Sequence, residues 1–179
     1  MDKRRYFYAF SNISPIDLER NLNESAAEGM LVRPFKNDGL FYFDFYDTTK
    51  EKCRYVVDGK PASAYSYEKK LKEEGWELVG IIFECYIWKK TYNDDIPKDF
   101  SNKAALYEHS KKMSIIFLIA AILFLIALIA FVWGIVYEKK NGVDTHFNIY
   151  LFYAMLQIPF LAYSIYAICK LFVAKNYYV

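Results

Sequence analysis

The sequence predicts an α+β domain followed by two helices that cross a membrane, and three observations carry that reading. Residues 114–136 and 147–169 form two runs of 23 residues each without a single charge. Before them, short aromatic and β-branched runs alternate with two amphipathic stretches, as strands and helices do. Charge follows the same division. Residues 1–112 hold 19 Lys+Arg and 19 Asp+Glu, and residues 113–179 hold four basic and two acidic side chains.

A helix of 23 residues rises roughly 35 Å, enough to cross a hydrocarbon layer of about 30 Å. A core helix of a soluble protein keeps a polar stripe for solvent, and neither run has one. The expected organisation is an α+β domain at 1–92, a linker and juxtamembrane helix at 93–112, spans at 113–137 and 147–173, an outer loop at 138–146 and a tail at 174–179.

The chain opens with an aromatic strand at residues 5–10. Ser14 then supplies an N-cap, Pro15 suits the first helical position, and Asp17 completes an acidic form of the capping box. Ile13 and Leu18 take the two positions of a hydrophobic staple. Leu18, Leu22 and Ala26 give the helix its apolar face, and Gly29 ends it. Strands are expected at 30–35 and 40–46, joined by the turn Lys36-Asn37-Asp38-Gly39. Phe41, Phe43 and Phe45 share one face of the second strand; Tyr42, Asp44 and Tyr46 share the other.

The pattern then restarts, with a strand at 53–58, a helix at 64–74 capped by Ser63, and strands at 76–83 and 86–92. AAEGMLVRPF and KEEGWELVGI share an order: helix, acidic residue, glycine, large apolar residue, strand. Two β-α-β-β units are expected, an internal duplication, forming one mixed sheet with both helices on one face. A ferredoxin-like sheet with an added hairpin is the alternative.

Several of these residues resemble the bacterial domain-of-unknown-function 2812 family. Leu22, Ala26 and Gly29 with Phe41-Tyr42-Phe43 look like its first motif, although Met30 stands where the pattern has an aromatic residue. Arg54-Tyr55-Val56-Val57-Asp58, Gly75-Trp76-Glu77 and Tyr86-Ile87-Trp88-Lys89-Lys90 look like its later motifs. The resemblance covers residues 5–110. It implies a membrane protein of Gram-positive bacteria, with hydrophobic helices after the domain and a gene often beside a PadR-type transcriptional regulator. It implies no catalytic residue.

The remaining motifs argue against most chemistry. There is no G-x-S-x-G, P-loop or G-x-G-x-x-G. Cys53, Cys85 and Cys169 are odd in number and form no C-x-x-C, so they read as reduced packing residues. His109 and His146 fall on opposite sides of the expected membrane and cannot share a metal. Glu73, Glu74, Glu77 and Glu84 read as solvated carboxylates. No enzyme, cofactor or metal is expected, and the neutral domain offers no basic face for nucleic acid.

Binding is the expected role. Tyr42, Tyr46, Tyr86, Trp88 and Tyr92 are placed on strand faces turned away from the helices, as a surface for a protein partner or a small apolar ligand. A transporter accessory subunit or immunity-type protein acting through its helices is the second reading, and a homo-oligomer is compatible with either. In the helices, Ala127, Ala130 and Gly134 are expected to pack against Tyr153, Gln157 and Ser164, with Gln157 bonding across. Pro159 should bend the second helix. No export signal precedes the domain. Lys103, Lys111, Lys112, Lys170 and Lys175 outnumber Lys139 and Lys140 of the loop, which places both termini in the cytoplasm of a two-pass cell-membrane protein surrounded by lipid.

Overall fold

The computed structural model of the chain describes residues 3–7, 13–35, 42–48, 51–59, 64–82, 84–142 and 147–177. The turn at 36–39, the Ser63 cap and His146 lie outside them. The elements run β1 (Lys3–Phe7), α1 (Pro15–Ala27), β2 (Met30–Val32), β3 (Tyr42–Asp47), β4 (Lys52–Gly59), α2 (Ala64–Glu73), β5 (Glu77–Ile82), β6 (Cys85–Tyr92), α3 (Lys103–Asn141) and α4 (Phe147–Asn176). They fall into two units, residues 1–110 with 174–179 and residues 111–173. An α+β region followed by two long apolar helices is therefore the architecture.

The first unit corrects the expected sheet. Its strands form two three-stranded antiparallel sheets, β1-β3-β2 and β4-β6-β5, rather than one mixed sheet. Each β-α-β-β unit keeps its own three strands, in the same order: first, third, second. The two helices also take opposite faces of the second sheet. Leu18, Leu22 and Ala26 of α1 share a core with Val32, Phe43, Phe45, Tyr55, Val57 and Ile87. Leu71 of α2 packs on the other face with Val56, Trp76, Tyr86 and Trp88. Covered on both sides, β4 and β6 are buried almost continuously instead of alternately, the pattern of strands with no solvent face.

Local signals explain most of the elements. Ser14 caps α1, its Oγ accepting from the Asp17 N–H at 3.1 Å and donating to the Asp17 carboxylate at 2.9 Å. Gly29 ends the helix at φ +81°, where a Cβ would lie 2.5 Å from the Thr48 carbonyl oxygen. Only glycine fits both demands. The rims of the second sheet are closed from outside it only in part, and at β5 the Phe35 N–H donates to the Val79 carbonyl at 2.8 Å.

In the second unit α3 and α4 are long and apolar enough to cross a membrane. Their outer faces are bare: Ile126 is 58% exposed and Trp133 71%. They meet through rings spaced seven residues apart on α3, the repeat of a coiled-coil seam. Phe117 packs edge-on against Tyr163 at 6.0 Å, and Phe124 stacks on Phe160 at 5.4 Å. Phe131 stacks on Tyr153 at 5.4 Å.

This seam overturns the expected packing face. Ala130 is exposed and Ala127 only half-buried, whereas Ala121 is 8% exposed. Gly134 does meet α4, but at the Tyr150 ring, 3.2 Å from where a Cβ would sit. Ser164 is buried and donates to the Phe160 carbonyl of its own helix at 2.9 Å. Gln157 is half-buried, and its enclosed Oε1 meets no donor among the described residues, so the expected cross-helix bond is not made. Aromatic pairs bring more contact area than methyl groups do, and they set which sides meet.

Ala121→Ile should therefore lower stability by about 1–3 kcal/mol by overfilling the seam. Ala130→Ile should change it by less than about 0.5 kcal/mol. Thermal unfolding of the two variants in detergent makes the comparison. Equal effects, or greater damage from Ala130→Ile, would refute the ring seam.

Candidate functional site

The chemistry-bearing side chains of the first unit gather around the outer rim of β4. On α1, Glu19 and Asn23 lie one step round the helix from Leu18 and Leu22, so filling the core turns both polar residues towards that rim. The Asn23 carboxamide behaves like a neighbouring strand. Its Oδ1 accepts from the Tyr55 N–H at 2.9 Å and its Nδ2 donates to the Tyr55 carbonyl at 3.0 Å. One turn earlier, Glu19 Oε2 accepts from the Val57 N–H at 3.0 Å. The other Glu19 oxygen faces Arg54, with Nη2 3.2 Å away.

The Glu19 carboxyl is held above its ordinary 4.5, burial being the largest cause. The Val57 N–H pulls the other way, Asp99 adds to the rise, and Arg54 and Lys103 oppose it. Arg54 is only partly answered. Its buried Nε–H meets no acceptor among the described residues.

At its far end, β4 holds the beginning of α3. Asp58 is buried, accepting from the Tyr67 hydroxyl at 2.5 Å and from the Asn102 N–H at 2.6 Å. Asn102 in turn accepts from the Ala105 N–H at 3.1 Å, as an N-cap does. Gly59 lies against this first turn, and a Cβ there would come within 2.5 Å of the Ala105 methyl. Leu106 reaches the core shared by α1 and β4.

Between α1, Arg54 and the segment leading into α3 lies a groove of about 510 Å³. Its apolar lining includes Ile16, Ala27 and Leu106; its charged lining includes Glu19, Arg54 and Lys103. A second hollow of about 550 Å³ adjoins it, lined by Gly29, Cys53, Tyr92 and Ile96 among others. Asn23, Ala27 and Arg54 belong to both.

Among the described residues the aromatic surface expected from the sequence is not formed. Tyr86 and Trp88 are 6% and 0% exposed beneath α2, with their rings stacked 6.5 Å apart. Tyr46 packs against the other core. The Tyr42 side chain lies outside the described residues. Tyr92 lines the second hollow. For Tyr86 and Trp88 the reason is that α2 covers that face of the second sheet. No catalytic or ligand motif in the sequence marks Glu19, Asn23, Arg54 or Asp58 as site residues. The available signal was the pair Glu19/Asn23, four apart on the flank of the Leu18/Leu22 stripe.

The Glu19 shift fixes a sign for pH dependence. A raised carboxyl pKa means the folded state binds the proton more tightly than the unfolded state. The stability it contributes is full below about pH 4.5 and is lost as pH climbs through the raised value. Wild type should therefore lose stability relative to Glu19→Gln between acid and neutral pH. Thermal midpoints of both proteins across that window test this. A wild type that gains on the variant would show that Arg54 and the Val57 N–H outweigh burial.

No curated protein and no solved structure matches the chain. Residues 14–122, which include α1, β4 and the Asp99–Leu106 side of the groove, match the family described as "Protein of unknown function (DUF2812)". The chain belongs to that family.

Proposed function

We propose that this protein is a two-pass membrane protein of the cell membrane, with both termini in the cytoplasm. Its α+β domain serves there as a binding and signalling module without enzymatic activity. The ligand is a protein partner or a small apolar molecule, received in the groove along α1. One observation carries the reading: the groove pairs an apolar lining with an incompletely answered arginine, and one of its walls is the first turn of α3. Pockets that bind specifically combine apolar walls with a few directed polar groups. The excess of lysine in the opening turns of α3 and the closing turns of α4 over the two lysines that end α3 supports the orientation. The shared strand order of the two β-α-β-β units supports an origin by duplication. The neighbouring PadR-type regulators implied by the family resemblance make transcriptional control the natural output, with no direct role for nucleic acid.

A second reading rests on Gln157. An amide oxygen enclosed in an apolar helix pair without a donor favours completion by another helix, from a second copy or a larger membrane complex. The hairpin would then do the work, as in a transporter accessory subunit or an immunity-type protein.

Mild solubilisation of native membranes and co-purification with the full-length chain separates the two. Ala27→Trp fills the groove, and Gln157→Leu removes the unmatched amide. The groove reading expects partner recovery to fall about tenfold with Ala27→Trp, a loss near 1.4 kcal/mol, and to be unchanged with Gln157→Leu. The reverse pattern would favour the hairpin and contradict the groove.

A further inference from the structure

We infer that the natural occupant of the α1 groove is an extended peptide segment, paired with the open part of the β4 rim and with Arg54. The inference rests on the groove being the binding site and adds the chemical class of what it binds.

Shape is the first argument. The two hollows share Asn23, Ala27 and Arg54, so together they run as one trough beside α1, from Pro15 at one end to Gly29 at the other. The twelve helical steps of α1 from Pro15 to Ala27 span roughly 18 Å. That is the length of about five residues in an extended chain, at about 3.3 Å each. A compact metabolite would fill one hollow and leave the other empty.

Hydrogen bonding is the second. In the antiparallel ladder with β6, alternate residues of β4 turn their N–H and C=O groups outward. Tyr55 and Val57 are two of these, and α1 satisfies both Tyr55 groups and the Val57 N–H. Cys53 is the next outward residue, and it lines the second hollow. Among the described residues nothing from outside the sheet bonds its backbone. An added strand fits such a rim, with its own backbone supplying one donor and one acceptor.

Arg54 is the third. Its Nη2 belongs to Glu19, and its Nε–H, enclosed in the unbound protein, lacks an acceptor among the described residues in a side chain that lines both hollows. A backbone carbonyl answers this N–H, once the Arg54 side chain turns it into the trough, without adding charge beside the Glu19 carboxylate. Apolar side chains at the two ends of the peptide would reach Ile16 and Leu106 on one side and Tyr92 and Ile96 on the other.

The test uses the full chain in detergent micelles with two probes on the same preparation, a random dodecapeptide library and a library of small rigid fragments. Binding is read from the NMR signal of the Arg54 Nε–H, and affinities are measured again on Arg54→Lys. That variant keeps the charge opposite Glu19 and loses the Nε–H. Selected peptides should shift the signal and bind about tenfold more weakly to Arg54→Lys, while its thermal midpoint stays at the wild-type value. Peptides that bind equally well to the variant would overturn the placement at Arg54. Fragments that shift the signal where no peptide does would overturn the peptide class and leave the groove standing. Silence from both libraries would overturn the groove as well.

Discussion

The outer rim of β4 is the constraint on which the domain depends. A three-stranded sheet has two rims, and every unpaired N–H or C=O buried along them costs about 1–3 kcal/mol. Exposed rims also recruit foreign strands. At β4 the remedy is a helix used side-on. Asn23 bonds both backbone groups of Tyr55, and Glu19 takes the N–H of Val57. Because Leu18 and Leu22 are buried in the core next to them, one helix both fills the interior and closes the sheet.

The same strand also fixes the start of α3. Residues of β4 serve three directions at once. Tyr55 and Val57 look into the core under α1, while Val56 and Asp58 look towards α2, and the rim looks along α1. Asp58 binds Tyr67 of α2 and the Asn102 N–H that opens α3, and Gly59 leaves room for Ala105. Leaving a buried polar group of this kind without its partner costs about 1–3 kcal/mol. The first turn of the long apolar helix is thus held by the same eight-residue strand that lines the groove.

What the sequence made legible were features decided by neighbours in the chain. The Ser14 cap, the Gly29 stop, the two apolar helices and the six strands need only local chemistry or length. Period-two alternation correctly put Phe43 and Phe45 on one face, and both are buried. Alternation cannot say which face another element will cover, and that is why Tyr86 and Trp88 were misplaced. The division into two sheets depends on which strands pair across the chain, and no local signal encodes it. In the hairpin the small residues were visible as a stripe, but Phe117, Phe124 and Phe131 formed a heptad seam of greater area and took the contact.

The central claim is that α1 closes the β4 rim through Glu19 and Asn23, and amide hydrogen exchange of the full chain addresses it directly. The Tyr55 and Val57 amides should exchange slowly in the wild type. In Asn23→Ala the Tyr55 amide should exchange faster by about tenfold or more, as expected for loss of a bond worth at least roughly 1.4 kcal/mol. The Val56 amide, which faces β6 in the antiparallel ladder, should change far less. Wild-type Tyr55 and Val57 amides that exchange as fast as open rim amides, or a Tyr55 rate indifferent to Asn23→Ala, would contradict the account.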